Sequence, residues 1–287
     1  MCIRDSLQGK RILFFSAHLF GYQNDIRLAM ESVGAIVDYY DERPANNFLV
    51  KGVIRINRNL LAGYINHYYN KIIKETLQKE YDYVFFIKGE SISASNVRRL
   101  KQFHPEANFI IYHWDSIANN SNAQNLLPYF DRVFSFDKID CERLGLHFLP
   151  LFYTPDYANI PYYDKEIKYD MLFVGTTHSD RYKLVKRIEE QIIKMGGLCL
   201  TWFYFPSKIL YYKMKIQNSY LRQIPVHTFH FKPMSKELLL QLYAGSRIII
   251  DVQHPKQTGL TMRCIETLGA KSCLLYTSPS PRDRQKS

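Results

Sequence analysis

The stretch SRIIIDVQHPKQTGLTMRCIETLGAK, Ser246 to Lys271, reads as strand, loop and helix. Ile248, Ile249 and Ile250 form a short apolar run suited to a buried parallel strand. The loop HPKQT follows, and Thr258 is placed to cap a helix starting at Gly259. Leu260, Thr261, Cys264, Ile265 and Leu268 fall at helical spacing and are expected to be its buried stripe. Gly259, Arg263 and Glu266 fall on another stripe, because seven residues is close to two turns. A bare glycine, free amides, a cation and a carboxylate would then share one face at the positive end of a helix. That set suits a sugar nucleotide: the helix start and Arg263 for a diphosphate, Glu266 for ribose hydroxyls. The same spacing also describes a surface helix with an i, i+3 Arg–Glu pair.

TGLTMRCIETLGAK resembles the donor-binding helix of bacterial glycosyltransferases with the GT-B fold, in particular the capsule and lipopolysaccharide group that includes CgeB-like proteins. Many of those enzymes carry two glutamates separated by seven residues. Glu266 matches the second, the ribose ligand, while Thr258 stands where the first would be. The resemblance implies an α/β chain of two Rossmann-like domains facing a cleft, with donor contacts on the second and acceptor contacts on the first. It implies transfer of a sugar from a nucleotide diphosphate to a saccharide or lipid-linked acceptor in surface polysaccharide biosynthesis. The nucleotide sugar is then a substrate, with no separate cofactor.

Upstream, the grammar is the same. KRILFFSAHLFGYQNDIRLAMESVG opens as strand (Ile12–Phe15), loop (Ser16–Gln23) and a helix capped by Asn24 or Asp25. VGAIVDYYDE is a second strand ending in acids, so the chain begins as a βαβ unit. Gly21 stands alone, without a G-x-G-x-x-G fingerprint, which argues against a dinucleotide-dependent dehydrogenase. In the transferase reading His18 and Gly21 meet the acceptor; otherwise His18 is a solvated loop residue. Lys51–Glu80 reads as a long helical region with a basic side, either packed plainly on its sheet or resting on an anionic membrane face. NFIIYHWDS ends a strand with His113, Trp114 and Asp115, and ligands of parallel sheets gather beyond such carboxyl ends. Asp115 is the candidate general base and His113 the second choice. The alternative is that Asp115 caps the next turn.

Tyr153–Lys168, rich in proline and charge, reads as a linker, and KYDMLFVGTTHSDRYKL restarts strand, glycine loop and helix. The expected domains are residues 7–154 and 169–272, joined by 155–168. Gly175 would let a phosphate approach the backbone and Arg181 would pair with it; more plainly, Gly175 makes a turn and Arg181 faces solvent. His178 lies in the same loop. Pro206–Lys232 interleaves cations with tyrosines, which suits nucleic acid, a membrane surface or an irregular helix with a packed aromatic side.

MCIRDS and CLLYTSPSPRDRQKS resemble translated sequencing-adapter read-through. Residues 1–6 and 273–287 are therefore set aside, and the second domain is expected to be truncated at its C-terminal end. The net charge of +11 favours anionic partners: nucleotide diphosphates, anionic membrane or nucleic acid. That charge also sustains an alternative, a non-catalytic protein binding nucleic acid or anionic polymer, although the transferase reading expects no nucleic acid partner. No apolar run reaches membrane-spanning length, and Ile12–Phe20 is too short and too polar for a signal peptide. The five scattered cysteines show no disulfide or metal spacing, and no Asp-x-Asp is present, so the expectation is metal-independent chemistry in a reducing cytoplasm, with peripheral contact at the inner membrane face.

Overall fold

A computed structural model of the chain describes residues 7–46, 48–120, 122–161, 166–177, 181–253 and 258–277. His178 lies outside them. Two compact units result, one running to Pro150 and taking in Thr258 and Gly259, the other containing Leu151 onward and resuming at Leu260.

In the first unit the strands are β1 (Arg11–Phe15), β2 (Ile36–Tyr40), β3 (Tyr83–Ile87), β4 (Asn108–His113), β5 (Arg132–Ser135) and β6 (His147–Phe148). They form one parallel sheet in the order β2-β1-β3-β4-β5-β6. The helices are α1 (Tyr22–Ser32), α2 (Phe48–Asn57), α3 (Ala62–Thr76), α4 (Ala94–Phe103), α5 (Ala123–Leu126) and α6 (Lys138–Leu144). Parallel strands need crossovers, and the crossover helices bury the sheet. Leu13, Phe15, Val84, Phe86, Phe109 and Ile111 therefore share a core with Tyr69, Ile72 and Ile73 of α3 and Val97 and Leu100 of α4. Each such side chain contributes roughly 1.5–3 kcal/mol of burial.

The second unit comprises α7 (Pro155–Ala158), β7 (Tyr169–Thr176), α8 (Arg181–Lys194), β8 (Cys199–Tyr204), α9 (Lys208–Gln217), α10 (Ser219–Arg222), β9 (Phe229–His230), α11 (Lys236–Ala244), β10 (Ser246–Val252), α12 (Met262–Gly269) and β11 (Cys273–Thr277). Its parallel sheet runs β11-β10-β7-β8-β9.

Several expectations change. The helical region expected over Lys51–Glu80 is present as two helices, α2 and α3, joined by a tight turn, Arg58–Leu61, capped by the Asn57 side chain. Neither Asn24 nor Asp25 caps α1; Gly21, at φ +89°, stands at that position. Cys273–Thr277, set aside above, pairs with β10 as an edge strand. The rings of Pro206–Lys232 divide: Tyr211 is buried against Phe205 and Phe229, with Lys215 5.6 Å over its ring, while Tyr212 and Tyr220 are exposed. Among the described residues no helix is long and apolar enough to cross a membrane.

Candidate functional site

In the second unit the apolar run of β10 carries Asp251 into the interior, where it is fully buried. Such a carboxylate must be paired. Thr261 donates its hydroxyl to Asp251 Oδ2, the Arg263 guanidinium bonds Oδ1, and the Cys264 thiol lies 3.2 Å from Oδ2. Burial alone would raise the Asp251 pKa; Arg263, then Thr261, Cys264 and Arg181, outweigh it and hold the carboxyl below the usual range. Burial likewise disfavours charged Arg263, but Asp251 outweighs that and raises it, so the cation persists. Its guanidinium lies 5.5 Å over the Phe173 ring, and a Cβ on Gly175 would meet Nη2 at 2.9 Å. Gly175 is therefore the floor beneath Arg263.

Arg181 opens α8 but does not face solvent. Its guanidinium donates to Thr176 O at 3.0 Å, Thr176 Oγ1 at 3.3 Å and Val252 O, tying β7 to β10. Burial first, and Arg263 second, depress its pKa to about 9. Among the described residues at this end of the sheet, the two cations Arg181 and Arg263 stand against the one charged carboxylate of Asp251.

The loop before α12 differs from expectation. Thr261, not Thr258, caps the helix, accepting from Cys264 N at 3.3 Å. Thr258 instead donates its amide to Asp137 Oδ2 at 3.0 Å, and its hydroxyl bonds Oδ1. Gly259 precedes the helix and does not share a face with Arg263 and Glu266. A Cβ there would meet the Phe136 ring at 2.6 Å, so this glycine serves close packing. Leu260 is exposed, and Leu268 is 58% exposed rather than part of a buried stripe. The buried residues of α12 are Cys264, Glu266, Thr267 and Gly269. Burial pushes the Glu266 carboxyl up to about 8, favouring the neutral form at pH 7, which donates as well as accepts.

In the first unit charges gather beyond the carboxyl ends of β2, β3 and β4. Lys88 pairs with Asp115 and lies 3.6 Å from Glu90 Oε1, and Glu90 Oε2 pairs with Arg43. Glu42, fully buried, accepts from Glu90 N at 3.2 Å; burial first, then Glu90, push its pKa to about 8. His113 is buried, and burial lowers its pKa to about 4, so the neutral ring sits inside the fold while Asp115 reaches solvent. His18 is exposed and tied through Nδ1 to Gln23 Nε2 at 3.0 Å, with Asp41 Oδ2 at 3.7 Å from Nε2.

Sequence reading missed Asp251, Lys88 and Glu90. The available signal was a charge closing an apolar strand, in IIIDV and in VFFIKGE.

No protein-family model matches this chain, and no curated protein matches it. Solved structures do. An α-glucosyltransferase in complex with UDP and a mismatched DNA 13-mer is similar at TM-score 0.58 and 13% identity, over 93% of this chain and 79% of that one. Trehalose-6-phosphate synthase is similar at 0.56 and 10%, over 96% and 89%. Anabaena HepE in complex with UDP and glucose is similar at 0.53 and 10%, over 92% and 80%. With its parallel sheets of six and five strands, this chain has the α/β fold of GT-B glycosyltransferases such as these.

Proposed function

We propose that the protein is a glycosyltransferase that moves a sugar from a nucleotide-diphosphate donor to a saccharide or lipid-linked acceptor in surface polysaccharide biosynthesis, of the capsule, lipopolysaccharide or CgeB-like kind. The observation that carries this reading is the likeness over more than nine-tenths of the chain to a UDP-bound α-glucosyltransferase and to a UDP- and glucose-bound protein. The cations Arg181 and Arg263 at the end of the second sheet support it. Donor contacts are assigned to Gly175, Arg181, Thr261, Arg263 and Glu266, with Thr258, Gly259 and Leu260 supporting the approach to α12. Asp115 is assigned as the general base, with His113 behind it and His18 toward the acceptor. Catalysis is positioning plus stabilisation of the leaving diphosphate, without metal or added cofactor, in the cytoplasm.

Peripheral contact with an anionic membrane is part of the proposal. Its support is an open groove of about 410 Å³ on the first unit, lined by His67, Lys71, Lys74 and Arg99 beside Leu77 and Phe103. Sedimentation with anionic vesicles that K71E/K74E weakens would bear this out; equal binding of neutral vesicles would not.

Calorimetry with a panel of nucleotide sugars tests the donor assignment, with Arg263→Ala and Glu266→Ala expected to lose binding. Full binding by both variants removes it. A second reading, binding of an anionic polymer without transfer, is favoured by the net charge of +11 and by the DNA held by the α-glucosyltransferase. A steep salt dependence with no preference for nucleotide sugars would select it.

A further inference from the structure

We infer that Lys88 is a positioning residue, which holds Asp115 so that it takes the proton of an acceptor hydroxyl; this rests on the transferase reading above. The inference starts from backbone geometry. Lys88 lies at φ +72°, a left-handed conformation that a residue with a side chain rarely adopts, and Gly89 follows at +64°. A Cβ on Gly89 would meet Ile111 Cδ1 and Leu126 Cδ1 at 2.9 Å, so the turn closes only with glycine. Two asparagines over-determine it. Asn120 Nδ2 donates to Lys88 O at 3.1 Å, while Asn122 Nδ2 donates to Gly89 O at 2.9 Å and Ile92 O at 2.7 Å. Strain of this kind persists where the surroundings enforce it, and it gathers at functional sites.

The turn delivers the ammonium to Asp115. The pair is asymmetric: the Lys88 side chain is 13% exposed, that of Asp115 42%. A surface salt bridge would leave both ends in water. Here the cation is held from within by Glu90, itself anchored by Arg43, and only the carboxylate is presented outward. Arg43 opposes charge on Lys88, but Asp115 and Glu90 outweigh both it and burial, so the ammonium stays protonated above the ordinary lysine range.

In the step so prepared, the acceptor O–H bond breaks and its proton passes to Asp115. The oxygen forms a bond to the anomeric carbon of the donor, and the bond from that carbon to the diphosphate breaks, its electron pair leaving with the diphosphate.

The test uses the full chain with its best nucleotide sugar and a hydroxyl acceptor. Lys88→Met should lower kcat about tenfold or more with donor KM unchanged, and Lys88→Arg should recover most of it. In an Asp115→Asn background Lys88→Met should add nothing. An equal loss in both backgrounds, or transfer by Lys88→Met at the wild-type rate, overturns the Lys88 assignment alone. Titration of Lys88 Cε by NMR needs no activity: Asp115→Asn should let the ammonium lose its proton at lower pH, and an unmoved titration overturns the pairing. A wild-type chain that binds no nucleotide sugar overturns the transferase reading, and the catalytic role with it.

Discussion

Arg263 and Asp251 form an ion pair within the second unit, with the carboxylate fully buried and the guanidinium one-fifth exposed. The carboxylate at the end of β10 thus fixes the direction of the first residues of α12. Breaking such a pair from one side strands a buried charge and costs about 3–5 kcal/mol. Asp251→Ala should therefore lower stability by about that much in urea, and Arg263→Ala should also destabilise the fold as well as weaken nucleotide-sugar binding. Because the folded Asp251 pKa lies below its unfolded value, its contribution is present above the ordinary aspartate range and is lost as pH falls through the folded value. Acid denaturation of an Asp251→Asn variant should lack that component.

Thr261 and Thr258 should separate cleanly. Thr261→Ala removes the cap of α12 and a hydrogen bond to Asp251, at a cost of about 1–2 kcal/mol. Thr258→Ala should leave α12 unaffected, since its bonds go to Asp137. Hydrogen exchange of the Cys264 and Ile265 amides reads the difference.

Gly175→Ala places a methyl 2.9 Å from Arg263 Nη2 and 3.0 Å from Phe173 Cζ. The guanidinium is pinned by Asp251 and cannot step aside freely, so overpacking of about 1–3 kcal/mol is expected. In an Asp251→Asn background Arg263 is released, and the penalty should shrink. Additive losses in a double-mutant cycle would show that Arg263 does not carry the strain.

Glu266 gives a pH signature of the opposite sign. Its folded pKa, about 8, lies above the unfolded value, so the folded state holds a proton that the unfolded chain releases. Stability should decline as pH rises from about 4.5 to 8, by roughly a few kcal/mol in all. Glu266→Gln should flatten the decline in that window, measured by urea midpoints at fixed ionic strength.

His113 works in the acid range. Its folded pKa is lowered to about 4, so its stabilising effect is present above about 6.5 and is lost as pH falls toward 4, roughly 3 kcal/mol at most. His113→Gln should remove that slope while leaving the pH dependence of stability above pH 7 as it is in wild type.

The fold was largely legible in the sequence because parallel strands buried on both faces write continuous apolar runs. RILFF, YVFFI, NFIIYH and SRIIIDV each announce one, and the helices between them announce the crossovers. Two-residue strands such as Phe229–His230 carry too little pattern to be seen, and Cys273–Thr277 acquires its strand from pairing with β10. Arg263, Glu266 and Asp115 stood out by position along the chain. Their partners did not: Asp251 meets Arg263 across twelve residues, and Lys88 meets Asp115 beyond the carboxyl ends of the neighbouring central strands β3 and β4. Linear spacing reports which residues share a helix face or a strand end. Whether a charge is neutralised, buried or offered to solvent depends on groups brought close by the packing of strands β3 and β4, or β7 and β10. Electrostatic free energy depends on that distance and on exclusion of water, and only the folded chain sets both.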